Sequence, residues 1–216
     1  MNLPDLKFQP RTGMYARGQE SIEMILREAQ SLLINEGYRA ISLRKIAAAC
    51  NMKVGNVTYY FSTKDKLIQE MLDATMQSYI AAFGEISDNA AMTAEEKLTA
   101  LITLVLDDIE TKKTTRLFPE LWALANFDPF VADLVESVYE IERTIFRSVL
   151  KDLNPALTDE ERETLCLFLS ASLEGQTMFI GYEKRWTDKR PWIKNLAIKA
   201  LVDFAKTVTA DDIRGL

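Results

Sequence analysis

Histidine is absent from this 216-residue sequence, and cysteine occurs only twice. Without histidine the chain lacks a Ser-His-Asp or Cys-His triad, the usual general base near neutral pH, and the commonest ligand of zinc and di-iron sites. Cys50 and Cys166 lie far apart and fit small buried hydrophobic residues better than a disulfide framework, with a redox-sensing pair as the alternative. We therefore expect no catalytic residues, no metal site and no cofactor.

Helix-breaking residues and long apolar runs are also scarce. The chain has only 8 glycines and 6 prolines and no sustained period-two run of β-branched residues, so helical spacing predicts an all-α protein. No apolar run approaches the ~20 residues of a membrane span. The first residues lack the apolar centre of a secretory signal. We read residues 1–17 as a flexible N-terminal arm and expect a cytoplasmic protein without membrane contact.

Charge is distributed unevenly along the chain. Residues 1–66 hold ten Lys and Arg against six Asp and Glu, a surplus of four positive charges. The remaining residues hold 16 against 26, a deficit of ten, and the whole chain has a net charge of −6. A small basic part attached to a larger acidic part indicates that only the N-terminal part faces a polyanion.

Residues 18–66 have the pattern of three short helices. The first follows ESIEMILREAQSLLINEG and ends at Gly37, and Ser42 is placed to cap the second, LRKIAAAC. The turn NMK, with Asn51 in a left-handed conformation, leads into the third helix, VGNVTYYF. Two short helices joined by a tight turn predict a helix-turn-helix DNA-binding domain.

The third helix carries side chains suited to a DNA groove. Gly55 lets the backbone approach the duplex, and Asn56 and Thr58 can form hydrogen bonds with base edges or phosphates. A buried core explains only one residue of the run Tyr59-Tyr60-Phe61, whereas the two phenol groups can reach phosphates. Lys53 faces outward, and Lys64 adds a positive charge at the start of a fourth helix.

Residues 20–72, including AISLRKIAAACNMKVGNVTYYFSTKDKLIQEML, resemble the DNA-binding signature of the TetR (tetracycline-repressor-like) family. The resemblance implies phosphate contacts and base contacts on a double-stranded operator. It assigns phosphate contacts to Ser42, Tyr59 and Lys64, and base contacts to Arg44 and the face of Lys53–Thr58, with Tyr60 able to do either. The sequence departs from the family pattern at Asn51, where glycine is usual, and at Thr58.

Residues 67–210 form longer helices, for which the family implies a ligand-binding and dimerisation domain. We expect one helix over 159–183, opened by a capping box of Thr158 and Glu161, and a last helix from Pro191 to Lys206. The family dimerises through its last two helices. Helix 159–183 is apolar on more than one face, so it can pair with the last helix across a two-fold axis, in an interface that includes Leu169, Leu173, Leu196 and Leu201. Candidates for the wall of an effector pocket are Phe83, Phe118, Trp122, Phe127, Tyr139, Phe168 and Tyr182, with Arg143 and Glu174 as polar anchors or as surface residues.

The leading hypothesis is a homodimeric transcriptional regulator, a repressor released from its operator by a small apolar or amphipathic ligand. An all-helical metal enzyme is one alternative, resting on Asp107-Asp108 and Glu160-Glu161. Adjacent helical residues point about 100° apart, so neither pair converges on a metal. A helical adaptor that does not bind DNA is the other alternative, and a gel-shift assay separates it from the regulator.

Overall fold

The structure is a computed structural model that describes residues 6–13 and 15–215. Within these residues the chain is all-helical, without a strand, which confirms the predicted fold class. None of the described helices is both long and apolar enough to cross a membrane. The helices are α1 (Ala16–Glu36), α2 (Leu43–Ala49), α3 (Val54–Tyr60), α4 (Lys64–Ser87), α5 (Ala94–Ile109), α6 (Lys112–Ala125), α7 (Pro129–Leu153), α8 (Asp159–Glu174), α9 (Thr177–Ile180), α10 (Arg190–Thr207) and α11 (Ala210–Arg214), with 3₁₀ turns at Tyr38–Ala40 and Thr187–Lys189.

The described chain divides into two compact units. The head unit comprises residues 6–13, 15–79 and 116–135, and the body unit comprises 80–115 and 136–215. Helices α4, α6 and α7 each contribute residues to both units. The boundaries that the sequence suggested after residues 17 and 66 stay predictions.

Helices α1 to α3 follow from local signals in the sequence. The Ser42 hydroxyl caps α2 by accepting a hydrogen bond from the Lys45 N–H at 3.2 Å. Asn51 has φ 53°, which confirms the left-handed turn between α2 and α3. Ile46 and Val57 bury their side chains completely between these helices, and Phe61 does so directly after α3. The polar faces of α2 and α3 are therefore left to solvent.

The N-terminal arm contacts the head unit over residues 6–13, and its flexibility stays a prediction. Leu6 is buried, and the Lys7 N–H donates a hydrogen bond to the Ala74 carbonyl at 2.9 Å. Arg11 Nη2 lies 2.7 and 2.6 Å from the two carboxylate oxygens of Glu70, and its guanidinium stacks 5.2 Å from the centre of the Phe61 ring. Residues 1–5 and 14 lie outside the described residues.

Helix α8 begins as predicted and ends earlier than predicted. Thr158 and Glu161 form the expected capping box, but the predicted helix over 159–183 is wrong, because α8 ends at Glu174. The chain turns again at Gly181, where a Cβ atom would lie 2.6 Å from Thr115 Oγ1. At the end of α9 the backbone carbonyls have no partner within the helix. The Arg190 side chain donates hydrogen bonds to the carbonyls of Ile180 and Gly181 at 2.9 and 3.1 Å.

Both cysteines are buried and free. Cys50 belongs to the head unit and Cys166 to the body unit. Burial raises the pKa of Cys50 to about 11 and that of Cys166 to about 12. Neither thiol is therefore ionised near neutral pH, and both behave as small apolar core residues.

Candidate nucleic-acid interface

The outer face of α2 and α3 is polar and open to solvent. Val57 is the one residue of α3 that is fully buried. A Cβ atom added to Gly55 would have no heavy atom within 4 Å, so the backbone of α3 is bare at this position. The residues of this face that are exposed, and that the sequence predicted to contact DNA, are Ser42, Arg44, Lys53, Gly55, Asn56, Thr58 and Tyr59.

Tyr59 and Tyr60 form the aromatic end of this face. Tyr59 is 80% exposed, while Tyr60 is half-buried, and their rings meet edge to face with centres 5.1 Å apart. Only Phe61 enters the core. A bulky aromatic side chain that is left almost fully exposed next to polar neighbours requires an explanation other than packing.

A groove of ≈ 690 Å³ lies beside α3, between the start of α1 and the outer face of α2 and α3. Its wall includes Tyr15 and Arg17, which the sequence analysis did not single out, and Tyr15 is 90% exposed. The run Tyr15-Ala16-Arg17 could have signalled this, since an aromatic and a basic residue precede the first apolar position of α1. The lining residues are Gly13, Tyr15, Arg17, Gly18, Ser21, Met52, Asn56, Tyr59 and Tyr60.

Lys64 is held by Tyr38. Its Nζ donates a hydrogen bond to the Tyr38 carbonyl at 3.1 Å and lies 3.7 Å from the centre of the Tyr38 ring. Desolvation by burial lowers the pKa of Lys64, against the opposing charge of Asp65. The ammonium group is thus fixed at the N-terminus of α4, where the sequence predicted a phosphate contact.

Tyr38 is itself positioned by α6. Its N–H donates a hydrogen bond to Glu120 Oε1 at 3.0 Å. The preceding Gly37 has φ 83° and ψ 167°, a conformation that is essentially restricted to glycine. Glu120, Tyr38 and Lys64 therefore connect α6 with the start of α4 inside the head unit, a link that no sequence pattern indicated.

The predicted pocket residues are divided between the two units. Phe118 and Trp122 belong to the head unit, where their ring centres are 6.5 Å apart and Phe118 also meets Tyr79 at 6.3 Å. Phe127 belongs to the same unit and is 91% exposed. The body unit holds Phe83, Tyr139, Phe168 and Tyr182, of which Phe83 is buried and Phe168 is 50% exposed.

The predicted interface residues have to be revised. Leu169, Leu173 and Leu201 are buried within the chain, so they stabilise the body unit and are not available to a partner. Leu196 is 68% exposed and stays a candidate. The exposed apolar residues on the same two helices are Leu167, Phe168, Trp192, Leu196 and Phe204, and the Phe168 and Phe204 rings lie 5.4 Å apart.

The acidic pairs on which the metal-enzyme alternative rests do not converge. Lys194 Nζ pairs with Asp107, whereas the Thr114 hydroxyl and Lys113 contact Asp108. Glu161 is part of the α8 capping box, while Glu160 is exposed. Within the described residues no group of three or more acidic or cysteine side chains is placed to hold a metal ion.

Buried charge in the body unit is concentrated on α7 and α8. Arg143 forms ion pairs with Glu136, Glu140 and Glu163. Burial raises the pKa of Glu142 to about 7, against the opposing effects of the Arg143 charge and the nearby Ser170 hydroxyl. Burial raises the pKa of Glu174 to about 8, and the charges of Glu142 and Asp108 act in the same direction.

Comparison with known proteins identifies the class. Residues 25–71 match the family model described as bacterial regulatory proteins, tetR family, and residues 94–190 match the model of the C-terminal region of BetI-type transcriptional repressors. Together with the helix-turn-helix geometry, these matches show that the chain belongs to the TetR family. It is a DNA-binding transcriptional regulator.

A relative agrees with this assignment, and solved structures share the fold. A helix-turn-helix-type regulator from the dhlA 5′ region of Xanthobacter autotrophicus is 29% identical over 156 residues, which are 71% of this chain and 75% of that protein. A candidate transcriptional regulator of Pseudomonas aeruginosa PAO1 has the same fold, with a TM-score of 0.73 at 18% identity over 94% of this chain and 96% of that chain. Another from Saccharomonospora viridis, solved in complex with choline, has a TM-score of 0.65 at 20% identity over 87% and 96% of the two chains.

Proposed function

We propose that this regulator is a homodimeric repressor that binds operator DNA through the face of α2 and α3 and leaves it when a small effector binds the body unit. The observation that supports DNA binding is the exposed polar face of α3, which ends in the 80% exposed Tyr59. Arg44 and Asn56 contact bases in this proposal, and Ser42 and Tyr59 contact phosphates. A cytoplasmic location is part of the proposal, since the operator is there.

The groove beside α3 extends this interface. Arg17 and Tyr15 line it together with Asn56 and Tyr59, so a DNA backbone following α3 would meet a basic side chain at the start of α1. Arg11 is placed differently, because it binds Glu70 and stacks on Phe61. In the proposal Arg11 positions the arm, and Arg17 contacts a phosphate.

The proposed dimer forms through the exposed apolar residues of α8 and α10. Trp192 and Leu196 are one helical turn apart and are 65% and 68% exposed, and Phe204 lies further along the same helix beside Phe168. Apolar side chains of this size on one surface favour a covered state. A two-fold axis would pair the surface with itself and present two α3 helices to the two halves of an operator.

The proposed release couples the two sites through α4. This helix runs from Lys64, at the DNA face, to Ser87, about 36 Å at 1.5 Å per residue. An effector that binds two arrangements of the dimer unequally shifts the separation of the two α3 helices, with a usual coupling of ~1–3 kcal/mol. Operator DNA then weakens effector binding by the same factor that effector weakens operator binding.

The test is binding of the purified protein to DNA that flanks its own coding region, measured by fluorescence anisotropy at several salt concentrations. We expect specific binding whose affinity falls steeply with salt, because phosphate contacts release counterions. Choline, the compound bound by the S. viridis regulator, is tested first for release. Absence of binding to any duplex at low salt would favour the DNA-independent adaptor.

A further inference from the structure

One residue of the N-terminal arm, Arg11, is bound to three helices of the head unit. Its backbone N–H donates a hydrogen bond to Gln19 Oε1 on α1 at 3.2 Å. Its Nη2 lies 2.7 and 2.6 Å from the two carboxylate oxygens of Glu70 on α4. Its Nη1 donates a long hydrogen bond of 3.4 Å to the carbonyl of Tyr60, the last residue of α3, which has no acceptor role within the helix. Arg11 thus ties the arm to α1, α3 and α4 at once.

These contacts reach both walls of the groove beside α3. One wall, the N-terminal wall, is formed by residues 13–21, and the other, the α3 wall, includes Tyr59 and Tyr60. Arg11 binds the first through its N–H and the second through its guanidinium, although it is not among the described residues that line the groove. Arg17 stands on the N-terminal wall, so its separation from Tyr59 depends on Arg11.

Folding stability does not explain these contacts well. The side chains of Arg11 and Glu70 are 33% and 40% exposed, and ion pairs as exposed as this contribute little to stability. Direct contact with DNA is also disfavoured, because a guanidinium held by a carboxylate, a carbonyl and the Phe61 ring would have to give up these partners to bind a phosphate. The planar fork of an arginine is well suited to holding several partners in a fixed geometry.

We propose that Arg11 is a positioning residue for DNA binding, which sets the distance between the N-terminal wall and the α3 wall so that Arg17 and Tyr59 reach the same stretch of DNA backbone. Arg11 does not itself contact DNA in this role. The inference rests on the proposed function, in which Arg17 and Tyr59 contact phosphates.

Three possible roles of Arg11 lead to different binding results. If Arg11 positions the walls, its loss reduces what Arg17 contributes to operator affinity. If Arg11 binds a phosphate itself, the two arginines act independently, and removal of Glu70 frees the guanidinium and strengthens binding. If Arg11 only stabilises the fold, its loss lowers the folded fraction, but Arg17 contributes the same factor in the molecules that are folded.

The experiment is a double-mutant cycle on operator binding by the full chain. Anisotropy of a labelled duplex from the DNA that flanks the coding region gives Kd for the parent, Arg11→Ala, Arg17→Ala, the double variant and Glu70→Ala. We expect Arg17→Ala to raise Kd about fivefold in the parent and less than about twofold in the Arg11→Ala background. Glu70→Ala should also raise Kd, although it removes a negative charge from the part that faces DNA.

Two further variants control for charge. Arg27 is exposed on α1 and stacks 4.8 Å from the ring centre of Phe8 in the same arm, so Arg27→Ala removes an equal charge and an arm contact. It should change Kd by less than about twofold. Arg11→Lys keeps the charge but cannot place donors on both Glu70 and Tyr60, so it should bind as weakly as Arg11→Ala, whereas a phosphate contact would tolerate lysine.

The outcomes separate this inference from the proposed function. The same factor for Arg17→Ala in both backgrounds, tighter binding by Glu70→Ala, or parental affinity in Arg11→Lys would each overturn the positioning role. If Arg17→Ala has no effect in the parent, the cycle with Tyr59→Phe decides, and no effect of either variant overturns the inference while operator binding stands. A parent chain that binds no duplex contradicts the proposed function itself, and the inference fails with it.

Discussion

Two glycines of the head unit allow stability and DNA binding to be separated by the same substitution. Gly37 has φ 83° and ψ 167°, where a side chain costs about 1–3 kcal/mol in backbone strain. A Cβ atom there would also lie 3.1 Å from Glu120 Oε1. The carboxylate would have to move away, which weakens the 3.0 Å hydrogen bond from the Tyr38 N–H by about 1 kcal/mol.

Gly37→Ala should therefore lower the free energy of unfolding by about 2–4 kcal/mol. Gly55→Ala should do the opposite. Gly55 lies inside α3 without a neighbour that a methyl group would meet, and alanine is favoured over glycine in a helix by about 0.5–1 kcal/mol. The added methyl group would, however, stand between the α3 backbone and the DNA, which should cost about 1 kcal/mol, a roughly fivefold rise in Kd.

Urea unfolding followed by circular dichroism gives the first quantity, and anisotropy with labelled operator gives the second. DNA binding is measured without urea, at a temperature where the Gly37→Ala chain is folded. If Gly37→Ala were as stable as the parent chain, the account of the turn before Tyr38 would be refuted. Unchanged operator affinity in Gly55→Ala would remove Gly55 from the interface.

Three further predictions concern the interface, the DNA contacts and pH. Leu196→Asp should give a monomer in sedimentation analysis. The control Met24→Asp, which changes an exposed apolar residue of the head unit, should remain a dimer. If both variants are dimers, Leu196 is not part of the interface. Across a library of operator sequences Asn56→Ala should alter sequence preference, at ~1–3 kcal/mol for a lost base contact, whereas Tyr59→Phe should weaken binding to all sequences alike. Identical binding profiles of the two variants would contradict these roles. Burial raises the pKa of Glu142 from 4.5 to about 7, so between these pH values the folded chain holds a proton that the unfolded chain has lost. The free energy of unfolding should therefore fall as the pH rises over that range, by about 1.4 kcal/mol per pH unit. In urea titrations Glu142→Gln should flatten this fall.

Local signals predicted the parts of the fold that depend on neighbouring residues. The cap at Ser42, the left-handed Asn51 and the capping box at Thr158 each need only a few adjacent positions, and the structure confirms all three. The polar face of α3 was predictable for the same reason. Its apolar residue, Val57, and the adjoining Phe61 occupy the spacing of a buried stripe.

The errors concern positions that depend on distant parts of the chain. Helix 159–183 looked continuous, but α8 ends at Glu174, and after α9 the side chains of Thr115 and Arg190 bind the backbone of Tyr182 and Gly181. Leu169 was assigned to an interface because its helix is apolar on more than one face, and composition does not show which of the faces the same chain covers. The anchoring of the arm depends on the match of Arg11 with Glu70, 59 residues away.

The two buried thiols make the protein directly suited to distance measurements in solution. Since neither Cys50 nor Cys166 ionises near neutral pH, a maleimide or methanethiosulfonate reagent should leave both untouched and modify only a cysteine introduced on the surface. Gln69, exposed on α4, is one such position. Spin labels at Gln69→Cys in both copies of the proposed dimer would report the separation of the two head units, free, on DNA and with choline, in an otherwise unmodified chain.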